Sequence, residues 1–167
     1  MADKFNTGKD IFCKGDVRLN NEVFKWDKFK HKSGFVLQTS KFFGDQTVED
    51  VLKLSAALKF VNISEDELNH KVDETIKLLK LELVRKSYVG GFLRKSISGG
   101  EQKRLSIGVE IIREPKILFL DEPTSGLDSY TSYLIMKKLK LLAKDRNMII
   151  VFTIHQPSLN IYNLFDN

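Results

Sequence analysis

Apolar and polar positions along the 167-residue chain follow two periods. Leu68, Val72, Ile76 and Leu79 recur every three or four residues, the spacing that gathers one apolar stripe on a helix. Ser64 precedes that run with Glu67 three positions on, a capping-box pair that sets the helix start. Thr47 with Asp50 resembles the same device and predicts a helix through about Phe60. Ser98-Gly99-Gly100-Glu101 opens a further helix to about Arg113, where Pro115 stops it. Ser129 to Lys144 reads as another helix. Three stretches break the helical period. Gly34 to Gln38 is a short strand ending in a polar residue, while Ile117 to Leu120 and Met148 to Ile154 are almost uninterrupted apolar runs of strand length. Strand, helix and strand in that order, with near-continuously apolar strands, predict a parallel sheet covered on both faces. The fold class is therefore α/β, with a helical insert from about Thr47 to Arg94. Lys14-Gly15-Asp16 and Asn20-Asn21 look like turns bounding short strands near the start.

Composition changes this picture little. Hydrophobic residues make up 42% and charged residues 29%, the balance of a globular domain with a core of its own. No repeat or low-complexity tract interrupts it. No apolar run approaches the ~18–20 residues that cross a bilayer, and no apolar stretch follows Met1-Ala2-Asp3-Lys4 as a secretory leader requires. Cys13 is the only cysteine, so no internal disulfide forms, which suits a reducing compartment. The net charge is +5. Lysines are interspersed with acids, as in Lys53, Glu65, Asp66, Lys71, Glu74 and Lys77. A nucleic-acid footprint would form a stripe, so a solvated surface and no nucleic-acid partner are expected. A mild positive excess also suits an anionic ligand or membrane headgroups.

Candidate chemistry gathers where strands end. Asp121 and Glu122 close an apolar strand, which puts two carboxylates at the carboxyl edge of the sheet, where α/β proteins bind ligands. The first can hold Mg²⁺, which takes oxygen ligands and keeps part of its water shell. The second can orient or deprotonate an attacking water. The same dipeptide is also an ordinary loop start or helix cap. Ser98, Gly99 and Gly100 at a helix start let backbone N–H groups approach an anion, with the helix dipole adding attraction; a capped glycine turn is the alternative. Gln38 and His155 each follow a strand, where they can reach a metal, a water or a phosphate, or simply end the strand.

Taken together and in this order, Gln38, Ser98-Gly99-Gly100-Glu101, Asp121-Glu122, Ser125-Gly126-Leu127-Asp128 and His155 resemble the ATP-binding cassette of ABC transporters. They match its Q-loop, signature, Walker B, D-loop and switch histidine. Ser98 to Gly108, with Glu101 where most cassettes carry glutamine, is similar to the G subfamily, as are Asp121 to Ser129 and His155-Gln156-Pro157-Ser158. The resemblance implies a P-loop NTPase-like, mainly parallel sheet with the signature on a helical subdomain. It divides the chain into a core portion at 1–46, a helical subdomain at 47–95 and a motif-bearing region at 96–167. It implies an ATPase using ATP and Mg²⁺, with Glu122, His155 and Gln38 catalytic, Asp121 and Gln38 toward the metal, and Ser98, Gly99, Gly100, Glu101 and Asp128 toward nucleotide. It further implies a second cassette in a homo- or heterodimer and a transmembrane domain. It expects a place at the cytoplasmic face of a membrane and export of lipid-like or amphipathic substrates.

One expected motif does not occur in these 167 residues. A cassette carries Gly-x-x-x-x-Gly-Lys-Ser/Thr ahead of the Q-loop, where it wraps the phosphates. Thr7-Gly8-Lys9-Asp10 has Asp3 in place of the first glycine and Asp10 in place of the hydroxyl, so it reads as a chance pair. Met1 to Phe5 instead resembles the end of the helix after that loop, and Gly15 to Asn20 the strand and turn that follow. The expectation is a cassette truncated after its Walker A motif and inactive alone. The alternative is a non-catalytic partner that lends its signature to an intact subunit.

Overall fold

The computed structural model describes residues 18–19, 22–23, 29–38, 42–90 and 96–166. Thr7-Gly8-Lys9-Asp10, the Met1 to Phe5 segment and Cys13 lie outside the described residues. Strands β1 (Arg18–Leu19) and β2 (Glu22–Val23) pair antiparallel, Leu19 opposite Glu22, while the turns predicted at Lys14-Gly15-Asp16 and Asn20-Asn21 lie outside the described residues. Strand β3 (Ser33–Val36) begins the main sheet.

Helices α1 (Val48–Lys59) and α2 (Glu65–Leu79) start where the sequence predicts, each with a complete capping box. Thr47 and Ser64 accept from the backbone N–H of Asp50 and Glu67, whose carboxylates accept from the cap backbone in return. A 3₁₀ turn at Glu82–Val84 closes this helical pair. Helix α3 (Gly99–Ile111) leads into β4 (Ile117–Asp121), then α4 (Ser129–Asp145), β5 (Ile149–Thr153) and the single turn α5 (Leu159–Tyr162).

The sheet is parallel in the order β3-β4-β5, with Gly34 opposite Leu118 and Leu118 opposite Ile150. Val36, Leu118 and Leu120 face one way and are buried with Ile107 and Ile111 of α3 and Ile135 and Leu139 of α4. The expectation of two covered faces is not met among the described residues. Ile149 and Val151 are 57% and 47% exposed, although Phe35 stacks on Phe119 at 4.8 Å on the same side. A run such as Met148 to Ile154 hides the two-residue alternation because every position but Thr153 is apolar. Among the described residues β5 also lies at the sheet's end, paired on its β4 side.

The helical pair and α3 share one core of Val48, Leu52, Val72, Ile76, Leu79 and Leu105. Gly108 lets the three helices approach: a Cβ there would lie 2.9 Å from Leu79 Cδ1 and 3.2 Å from both Leu52 Cδ2 and Thr75 Cγ2. Glu49, with its side chain only 5% exposed, ties α1 to the segment after α2. Arg85 donates to it at 2.9 Å and, through its other nitrogen, to Asp73 of α2 at 2.7 Å. Lys53 and Lys86 also reach Glu49. Arg85, then Lys86, hold the Glu49 carboxyl far below the usual carboxylate range, against the opposing pull of burial.

Candidate active site

The carboxyl edge of the sheet gathers four of the predicted residues. Asp121 is the last residue of β4, and Glu122 follows in the left-handed region at φ 46°. Few side-chain-bearing residues adopt that conformation, and such backbone strain clusters at functional sites. Strand β3 ends at Val36, so Gln38 lies two residues past the strand rather than closing it. From there its Nε2 donates to Glu122 Oε2 at 3.3 Å across 84 residues of sequence. His155 is exposed just beyond β5, at the same edge. No hydrogen bond joins it to Glu122 among the described residues. The residue after it, Gln156, repeats the left-handed turn at φ 46°.

Two residues that sequence reasoning passed over hold this edge together. Thr153, opposite Asp121 in the β4–β5 register, donates its hydroxyl to Asp121 Oδ1 at 2.6 Å and accepts from the Glu122 N–H at 3.0 Å. Lys103 is 7% exposed within α3, and its ammonium donates to the carbonyls of Leu37, Gln38 and Asp121. Burial pushes the Lys103 pKa down, while Asp121 and Glu122 pull it back up. A signal for Lys103 was present. It sits on the stripe of α3 that carries Ile107 and Ile111, where a cation needs acceptors. Thr153 left none, because strand register is not written in local sequence.

The signature segment forms the start of α3. Ser98 accepts from the Glu101 N–H and donates its own hydroxyl to Glu101 Oε2 at 2.8 Å. Gly99 opens to empty space among the described residues, with no described atom beyond its own helical turn within 4 Å of where a Cβ would stand. Gly100 is pressed against the next motif, its Cβ position lying 3.0 Å from Leu127 Cδ2 and 3.3 Å from Gly126 O. Gly126 itself turns at φ 75°. Asp128 caps α4, accepting from the Thr131 N–H at 2.9 Å, and Thr131 holds its carboxyl below the usual range.

A carboxylate pair and a side-chain amide thus meet at the sheet edge, and the helix with a glycine-opened start is tied to the same two loops through Lys103. A family model described as ABC transporter matches residues 7–125. The chain belongs to the ABC transporter family. Among its relatives are ABC transporter G family member 5 of Arabidopsis thaliana, 43% identical over 92% of this chain, and Broad substrate specificity ATP-binding cassette transporter ABCG2 of Mus musculus, 44% identical over 92%. This ABC chain spans 23% of the length of each. Its fold matches the ATP-binding cassette MJ0796, solved as a dimer in a post-hydrolysis state with ADP and Pi. That match has a TM-score of 0.72 and 26% identity, covering 90% of this chain and 66% of that one. No described helix of this ABC cassette is long and apolar enough to cross a membrane.

Proposed function

We propose that this chain is the ATP-binding and ATP-hydrolysing cassette of a G-type transporter that exports lipid-like or amphipathic substrates. Its place in that reading is the cytoplasmic face of a membrane, beside a transmembrane domain and a second cassette. The portions 1–46, 47–95 and 96–167 serve as core, helical subdomain and motif-bearing region. The observation that carries the reading is the approach of Gln38 to Glu122 at 3.3 Å, next to Asp121, at one end of a parallel sheet.

The donor set suits Mg²⁺, because Asp121 offers carboxylate oxygens and Gln38 an amide oxygen, both hard ligands. When bound, that ion neutralises charge developing on the transferred phosphoryl group. Glu122 accepts a proton from the attacking water, and the Gln38 amide it already pairs with orients that water. His155 donates a hydrogen bond toward the terminal phosphate from the adjacent strand end. Ser98, Gly99 and Gly100 meet a partner's nucleotide with helix-start N–H groups, and Glu101 and Asp128 hold the turns that shape that face. Glu122→Gln keeps the shape and removes the base. In a full-length protein that includes a Gly-x-x-x-x-Gly-Lys-Ser/Thr loop, turnover should fall by roughly 10²–10⁴-fold while ATP is still retained. Turnover within a few-fold of the parent would sink the assignment.

A second reading, a non-catalytic cassette that lends its signature to an intact subunit, is favoured by the open space at Gly99. It keeps the role of the α3 start and drops that of Glu122. Loss of turnover in Glu122→Gln therefore separates the two.

A further inference from the structure

Lys103 has no part in the chemistry above, yet its contacts reach the two segments that carry Gln38, Asp121 and Glu122. Its Nζ lies 3.1 Å from Leu37 O, 3.2 Å from Gln38 O and 2.8 Å from Asp121 O. An ammonium has three protons and no acceptor, so three carbonyls satisfy it in full. Two of those carbonyls belong to the loop after β3 and one to the end of β4, the segments that bring Gln38 and Glu122 together. Packing alone would be served at lower cost by an apolar side chain of the same length, since a buried cation must recover its lost hydration from fixed partners. One helical turn before Lys103 stands Gly99, in the open, and Gly100 touches Gly126 and Leu127 on the way.

We propose that Lys103 is a positioning residue for ATP hydrolysis. Through its three bonds, helix α3 sets the separation of Gln38 from Glu122, and displacement of the Ser98–Gly100 helix start passes into that separation. Asp121 and Glu122 are the charged groups that face it. The proposal rests on the function given above. Its structural half, the tie between α3 and the two loops, can be read without any turnover.

The test compares the parent protein with Lys103→Met, which keeps an apolar stem and removes all three donors. Site-resolved amide exchange on the 167-residue chain reads the tie. The Glu122 N–H, bonded to Thr153, should exchange about tenfold faster in the variant while amides in α1 and α2 keep their protection. Turnover in the full-length protein reads the consequence. The kcat should fall about 10–100-fold, as for a reacting group displaced by an ångström, with the KM for ATP within about threefold, because Lys103 bonds only backbone carbonyls and leaves the Ser98–Gly100 helix start its own cap. If Lys103→Met does not fold, Lys103→Arg asks the same question, since a planar guanidinium keeps the charge but spreads its donors in one plane and cannot aim three of them from a single nitrogen at the same three carbonyls. Unchanged Glu122 exchange in a folded variant would overturn the proposal, and so would a kcat within about threefold of the parent. A parent that hydrolyses no ATP would instead remove the proposed function, and exchange alone would then decide the tie.

Discussion

Gly99 and Gly100 are neighbours at the start of α3, yet a side chain would meet opposite fates at the two positions. At Gly99 it enters open space; at Gly100 it meets Leu127 and the Gly126 carbonyl at 3.0 and 3.3 Å. Gly99→Asp therefore leaves the fold intact, and an added carboxylate at a helix N-terminus even stabilises by about 0.3–1 kcal/mol. The same charge repels phosphate. Its melting temperature should hold or rise while ATP-dependent association with a partner cassette is lost. Gly100→Ala should behave in reverse order, losing about 1–3 kcal/mol to overpacking before any question of nucleotide arises. Thermal denaturation alongside an association assay separates the pair. Equal melting losses in both variants would contradict the geometry of the helix start.

Helix α1 depends on carboxylates that resist protonation. Glu49 is held down by Arg85 and Lys86, and Asp50 by the Thr47 hydroxyl and backbone N–H. Both bind protons less readily in the folded chain than in the unfolded one. Their stabilisation is thus fully present above the unfolded values of about 4 and is lost as pH falls toward the folded ones. Melting temperature should stay level above about pH 6 and decline below about pH 5. Glu49→Gln should flatten part of that decline and cost about 1–3 kcal/mol at neutral pH, where Arg85 keeps a weaker partner. A variant with the parent's acid profile would mean that Glu49 does not anchor the helix. Elements of this kind were legible in sequence because capping is local: Thr47–Asp50, Ser64–Glu67 and Ser98–Glu101 each announce a helix start within four residues. Three-dimensional register was not. Gln38 could be placed near a strand end but not paired with Glu122, Thr153 carried no mark of its place beside Asp121, and the exposure of Ile149 and Val151 among the described residues was hidden behind a nearly all-apolar string.

At the scale of the whole molecule, the predictions turn on what the 167 residues supply to a nucleotide. They contain the α3 start and the Asp121–Glu122 edge, but no loop of the Gly-x-x-x-x-Gly-Lys-Ser/Thr form. Little is then present to offset the desolvation and immobilisation of ATP. Calorimetry on this chain alone should find millimolar or weaker binding and no Mg²⁺-dependent turnover; submicromolar affinity would reveal another phosphate site. Mixed with a full cassette whose own signature is disabled, the chain should restore ATP-dependent association and hydrolysis, and its Gly99→Asp form should not. No association from a folded chain would rule out the lending of its signature.

The 84 residues between Gln38 and Glu122 also have a meaning in time. A ribosome adding about 5–20 residues per second delivers the second partner roughly 4–17 s after the first. Through that interval β3 has no β4 to pair with, while α1 and α2 can already close on each other through local contacts. The nascent chain thus presents Phe35 and Val36 as an unpaired apolar strand for seconds. A pause in translation between Ser98 and Ile117 would lengthen that exposure, before any nucleotide is met.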